Sequence, residues 1–363
     1  MGIDFNPQRW DRVRETYGQW WAKELDRPVI PVIVKGNDPG RPEPETPLLT
    51  QQTSLDLSVP AGDLIDRIDY ELSKNIYLGD SFPYYNMDCF GPGVVAAFLG
   101  AVPDNSTGNI WFEPEEIVDL KDMHFQYDPE NIWWKRVQEI YREAVRLWNG
   151  DVVIGMVDLG GILDILATFR TTERLLMDLY DQPEEIKRLT WEIHELWMRY
   201  YHEINDILSP VARGYSDWSK IFSEKPSYVI QSDFTFMVGT PMFVEFAKPE
   251  LQAAAAKIPH TLFHLDGPGE LNHLDELLSI GDINAIQWVP GAGAPPQTQW
   301  PDVYRKISQA GKGIQLFDGL DCIEAVAAQI GTTRGLLHWD IEVAPEEMDT
   351  VIKRLEKFGV TPR

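Results

Sequence analysis

Residues 259–293 read P-H-T-L-F-H-L-D-G-P-G-E-L-N-H-L-D-E-L-L-S-I-G-D-I-N-A-I-Q-W-V-P-G-A-G. A short apolar run, 261–263, delivers His264, Leu265, Asp266 and Gly267. A helical pattern covers 270–280, and a second apolar run, 283–288, ends in Val289-Pro290-Gly291. Strand, helix and strand in about thirty residues make a βαβ unit, which implies a parallel sheet with a right-handed crossover. In such folds chemistry collects where strands end. His264 and Asp266 sit at such an end, two residues apart, and share a face while the strand continues.

The same punctuation recurs along the chain. Residues 7–25 read as an amphipathic helix bearing Trp10, Tyr17, Trp20 and Trp21, and 29–34 as a strand. Residues 36–60 read as a loop, 61–75 as a helix, and 82–93 as an irregular aromatic loop containing Cys89. An extended excursion is expected over 105–128 and a helix over 129–149. From there strands are expected at 152–161, 212–215, 228–230, 261–263, 283–288, 313–317 and 335–342. Helices are expected between them: 171–208 with a break near 181–183, 239–257, 270–280, 302–310, 323–330 and 345–358. Thr171 or Thr172 is expected to cap the first of these. Repeated strand-then-helix units give an α/β fold. About eight strands favour a closed (β/α)8 TIM barrel with an N-terminal helical and loop extension. The expected organisation is one domain over 1–363, with 1–80 as the extension and 81–363 as the barrel core.

The chain's 363 residues carry 57 acidic and 32 basic side chains, a net charge of −25. That balance opposes binding to nucleic acid, which needs a basic face, and to an anionic membrane surface. With two cysteines, Cys89 and Cys322, there is no disulfide framework. No basic-then-apolar leader and no run of about 18 apolar residues is seen, so a cytoplasmic protein is expected. No G-x-G-x-x-G or G-x-x-x-x-G-K-T loop supports a nucleotide cofactor.

The polar residues at the expected strand ends are Asp158, Asp217, Ser232-Asp233, His264-Asp266, Gln287, Asp318 and the run His338-Asp340-Glu342. Asp88 belongs to the aromatic loop. One carboxylate at a strand end is equally a cap for the next helix, and His264 is equally a hydrogen-bonded core histidine. Convergence at one mouth is harder to explain as capping, because crowded carboxylates raise one another's pKa unless a cation stands among them. Asp88, Asp158, Asp233, His264 and Asp266 are therefore the catalytic candidates. His264 and Asp266, with one of His338, Asp340 or Glu342 from the last strand and Glu342 taken first, form the candidate metal set, nitrogen and oxygen ligands suited to zinc.

Four stretches, 159–186, 231–251, 262–267 and 286–293, resemble in order those of the uroporphyrinogen decarboxylase superfamily, which includes corrinoid-dependent methyltransferases. The resemblance covers roughly residues 80–358. It implies a barrel enzyme that moves a methyl group between a small O- or N-methyl donor and cobalamin on a corrinoid carrier protein, and a homodimer. Tyr84, Tyr85, Phe90 and Trp288 would line the donor pocket, with Asp217, Gln287 and His338 as further substrate contacts. The sequence departs from true uroporphyrinogen decarboxylases at Lys35-Gly36-Asn37-Asp38, where an arginine-bearing element is expected. It departs from the thiol-methylating members at Asp266, where a cysteine is expected, and in having no cysteine on the last strand. The alternatives are a carboxy-lyase acting on a less charged acid, with Arg170 and Arg213 as its anion contacts, and an inactive binding subunit.

Overall fold

The computed structural model describes residues 2–363. Its strands in chain order are β1 (Pro31–Lys35), β2 (Asn75–Gly79), β3 (Tyr84–Tyr85), β4 (Val102–Asp104), β5 (Trp111–Glu113), β6 (Val153–Ile154) and β7 (Ser227–Ile230). They continue as β8 (His260–Asp266), β9 (Ala285–Val289), β10 (Gly313–Leu316), β11 (Leu336–His338) and β12 (Ile341–Val343). The dominant element is a five-stranded sheet in the order β11-β10-β9-β8-β7. All of its pairings are parallel. The fold is therefore α/β, built around a parallel sheet, as the βαβ unit of 259–293 requires.

The hydrogen-bonded ladders do not close into the expected ring. β1 pairs with β12 and β2 in a three-stranded sheet, β3 with β6, and β4 with β5. Single bridges join Val29 to Leu337 and Met156 to Asp217 between these pieces. The strand expected over 152–161 shrinks to β6 for a visible reason. Tyr141 Oη donates to Gly155 O (2.7 Å) and accepts from Val157 N (2.8 Å). Tyr228 Oη accepts from Leu159 N (2.7 Å). Buried tyrosine hydroxyls thus satisfy backbone groups that a neighbouring strand would otherwise have to pair. Likewise 212–215 forms only a single isolated bridge, Tyr215 to Ser223.

The two faces of the parallel sheet bury different clusters. Tyr228, Ile230, Phe263, Leu265, Ile286, Trp288, Ile314, Leu316 and Leu336 belong to the large core shared with the surrounding helices. On the alternate positions, Val229, Leu262, Ala285 and Leu337 meet Trp10, Tyr17, Trp20, Phe82 and Phe222. Strand alternation sends successive residues to opposite faces, so this second cluster marks the face on which His264, Asp266, Gln287 and Gln315 also lie.

The N-terminal helix Pro7–Trp21 starts at Asn6, whose side chain accepts from Arg9 N. Trp10, Tyr17 and Trp20 fall on one helical face and seal the N-terminal edge of the sheet. Trp20 lies over Gly313, where a Cβ would come within 2.7 Å of the ring. The N-terminal segment is joined to the end of the chain, since β1 runs beside β12.

Other differences from the sequence reading are local. Thr171 stands at the N-cap position of the helix Thr172–Asp181, as expected, but with φ 63°, ψ 146° and no side-chain capping bond, and it joins that helix to Ile162–Arg170. The helix expected over 270–280 is broken, with helical turns at Gly267–Glu270 and Leu274–Leu278. Among the described residues no helix is long and apolar enough to cross a membrane.

Candidate functional site

β8 runs further than its apolar run implied, to Asp266. Its last inward residues, His264 and Asp266, meet Asp233 in the turn after β7. One ligand atom each from Asp233, His264 and Asp266 lie within 4.8 Å of one another, the one such His/Cys/Asp/Glu group among the described residues. Ionised carboxylate oxygens only accept, so the two acids converge here with a single ring nitrogen beside them.

Two further acids hold the carriers of this triad. Asp164, in the helix Ile162–Arg170, accepts from Asp233 N (3.1 Å) and Phe234 N (2.6 Å). Glu270 accepts from Asp266 N (2.8 Å) and from Thr235 Oγ1 (3.1 Å). Each acidic member of the triad thus has its own amide anchored by another carboxylate. Gly161 makes the first anchor possible: a Cβ there would sit 2.1 Å from Asp164 Oδ2 and 2.5 Å from Gln231 O.

Burial, reinforced by the charge of Asp233, pushes Asp164 up to about 7. Burial, reinforced by Asp266, pushes Asp233 to about 7 as well. Burial and then Asp233 hold Glu270 well above the usual carboxylate range. Asp158 is raised by burial and then by Asp88, and Asp88 is raised to about 6 by burial. These are acids crowded without a cation, and they keep protons at pH values where free aspartate has lost them. His264 is shifted the other way: burial lowers its pKa, opposed by its bond to Gln287 and by Asp266 and Asp164.

His264 Nδ1 bonds Gln287 Oε1. Gln287 Nε2 donates to Gln315 Oε1 (2.6 Å), and Gln315 Nε2 donates to Ser219 O (2.7 Å). The edge of the His264 ring meets Trp218, with centroids 5.0 Å apart. Beside the triad opens a groove of about 920 Å³, bounded by Trp111, Phe112, Asp164, Thr168, Asp233 and Met237. Glu113, Glu115, Glu116 and Glu173 also line it, and no lysine or arginine does among the described residues.

No family model matches this chain, and no curated protein matches it. Among solved structures, the chain is similar to a methyltransferase from Methanosarcina mazei. The two share 13% identity over 96% of this chain and 99% of that chain, with a TM-score of 0.59. At that identity the likeness concerns the fold.

The structure brings together Asp233, His264 and Asp266, with Gln287 directly behind His264. Asp158, buried and accepting from Gly160 N (2.9 Å), is raised in part by the charge of Asp88. Tyr84 reaches across to Asp217 O (2.6 Å). Asp217 itself is buried and accepts from Ser219 N (2.8 Å), a turn contact rather than a groove-facing one.

Other expected residues lie elsewhere. Glu342 is exposed on β12, opposite Ile33, and is outside the triad. The chain bends between β11 and β12, so the last strand's parity does not carry it to the site. His338 shares the register of Leu316, on the helix-covered face, and bonds Trp339 O through Nδ1 (2.6 Å). Trp288 is fully buried on that same face, edge-on to Trp300. Tyr85 turns to Trp148 and Leu49 O, and Phe90 is core. None of these four forms an aromatic wall or contact at the triad. Arg170 is paired with Asp178, and Arg213 with Gly150 O and Asp151. Both are occupied away from the groove.

The sequence reading missed Asp164, Glu270, Trp218 and Gln315. Asp164 and Glu270 lie in helical first turns rather than at strand ends. Gln315 did have a signal: I-Q-W (286–288) and I-Q-L (314–316) place one glutamine amid apolar residues in consecutive strands.

Proposed function

We propose that this protein is a methyltransferase that moves a methyl group between a small O- or N-methyl donor and a reduced corrinoid carried by a partner protein. The observation that carries the reading is the convergence of Asp233, His264 and Asp266, with Asp233 lining a large groove. The likeness to a methyltransferase supports it at the level of fold. The β-ladders, joined by the Val29–Leu337 and Met156–Asp217 bridges, are read as an interrupted (β/α)8 barrel in a single domain, 1–363, of the uroporphyrinogen decarboxylase-like kind.

The triad fits a divalent metal such as zinc. One ring nitrogen and two carboxylates converge, and the charges acting on Asp233 come from Asp266 rather than from any basic group. Such a donor set, harder than thiolate, suits an electrophilic ion. When bound there, zinc would supply Lewis acidity toward the donor's leaving heteroatom. The chain's own contribution is placement. Asp164 and Glu270 hold the backbone of Asp233 and Asp266, and Gln287 orients His264. Asp88 and Asp158, whose carboxyls burial raises, are the candidates to give a proton to a departing alkoxide or amine. The acidic groove favours neutral and cationic donors over anions. The carboxy-lyase alternative loses its arginines, since Arg170 and Arg213 are spent on structural partners.

The test is a single-turnover reaction with cob(I)alamin and a panel of methoxylated arenes and methylamines, read by the absorbance of methylcobalamin. Formation with at least one donor, lost in Asp233→Ala, is expected. No methylcobalamin from any donor, alongside decarboxylation of an acid panel, would replace this reading with the lyase.

A further inference from the structure

The chain of amides behind His264 determines which nitrogen the ring presents. It starts at the main-chain carbonyl of Ser219, which can only accept. The partner 2.7 Å away must therefore be the amide nitrogen of Gln315, the only donor a glutamine side chain has. That orientation turns Gln315 Oε1 toward Gln287, whose Nε2 donates to it over 2.6 Å. Gln287 is left with Oε1 facing Nδ1 of His264. Gln287 is 1% exposed and Gln315 0%. Turning either amide over would set like against like at its contacts and leave buried polar atoms unpaired.

We propose that Gln315 and Gln287 are positioning residues. They carry the acceptor polarity of the Ser219 carbonyl to His264 and hold its neutral ring as the Nδ1–H tautomer, with the lone pair on Nε2. Nε2 then turns a lone pair, not a proton, toward the carboxyls of Asp233 and Asp266. In metal-binding histidines the hydrogen bond at one nitrogen sets the availability of the other. The inference deepens the metal reading by naming the ligand atom, but the tautomer itself needs no metal.

The experiment is nitrogen-15 imidazole spectroscopy on metal-free protein at mildly alkaline pH. The His264 signals are assigned by their absence in His264→Ala. Wild type is expected to show a proton on Nδ1 and a bare Nε2. In Gln315→Met the Gln287 amide is free to turn, so an Nε2–H population appears, and zinc affinity falls by about 10–100-fold. Adding Gln287→Glu to Gln315→Met restores Nδ1–H, because a carboxylate cannot turn into a donor. A purely packing role for Gln315 would not produce that rescue. A wild-type ring protonated at Nε2, or a tautomer unmoved by Gln315→Met, overturns the proposal. The expected tautomer in a protein that binds no zinc would uphold the relay and remove the metal reading instead.

Discussion

The two ends of the parallel sheet are built from the same strands, yet they do opposite things. At the N-terminal edge the inward residues are Val229, Leu262, Ala285 and Leu337, sealed by Trp10, Tyr17, Trp20 and Phe222. Two residues further along β8 and β9 the same face carries His264, Asp266 and Gln287. The first end is dry and apolar; its rings interlock, as where Tyr17 meets Phe82 edge-on at 5.7 Å. The second holds acids without a basic partner. One end supplies stability, and the other spends part of it to keep charge in a poor solvent.

Changes at the apolar edge should have the largest effect on stability and the least on the site. Trp10 is 2% exposed and packs against Phe82 and Phe222. Trp10→Ala is expected to cost about 3–5 kcal/mol in urea unfolding, while the folded fraction keeps the wild-type zinc affinity. Equal losses of stability and zinc affinity would show that the two ends are not separable.

At the polar end, Glu270→Ala removes the acceptor of Asp266 N and of Thr235 Oγ1. A loss of about 1–3 kcal/mol follows from the unpaired buried amide, together with weaker zinc binding. Glu270→Gln keeps an acceptor at the same place and should restore most of both. If Glu270→Ala binds zinc as wild type does, the anchoring role is wrong.

The ends should also differ in pH response. Asp164 and Asp233 are raised to about 7 in the folded protein from an ordinary value of 3.8. Between those values the native chain binds more protons than the unfolded one, so unfolding free energy falls as pH rises. The stabilising contribution is complete below about 3.8 and is gone once pH has passed about 7. Urea unfolding in the presence of a chelator should show the decline across that window, and its slope should lessen in the double variant Asp164→Asn, Asp233→Asn, the remainder coming from the other raised acids Asp88, Asp158 and Glu270. A slope unchanged by those substitutions would place its source elsewhere.

Much of the scaffold was legible because apolar runs and punctuation are local signals. The βαβ unit of 259–293, the helix from Pro7 and the break at Pro183 all follow from residues adjacent in sequence. His264 and Asp266 were legible for the same reason. The interruption of the ring of strands was not, because tyrosine hydroxyls from Tyr141 and Tyr228 occupy backbone groups of residues 155–159. Glu342 was misplaced because a two-residue bend between β11 and β12 breaks the alternation on which its inward placement relied. Trp288 was misplaced by ignoring alternation: its neighbour Gln287 faces His264, so Trp288 must face the helices. Asp164 and Glu270 act through backbone amides distant in sequence or one turn back, contacts that no strand-end pattern announces.

The most direct test of the account is metal content per chain after dialysis against zinc, in wild type and in His264→Ala, Asp233→Ala and Glu342→Ala. About one zinc is predicted in wild type and Glu342→Ala, and none in the other two. Zinc retained by His264→Ala and Asp233→Ala, or absent from wild type, would contradict the claim that the acceptor triad is built for a cation.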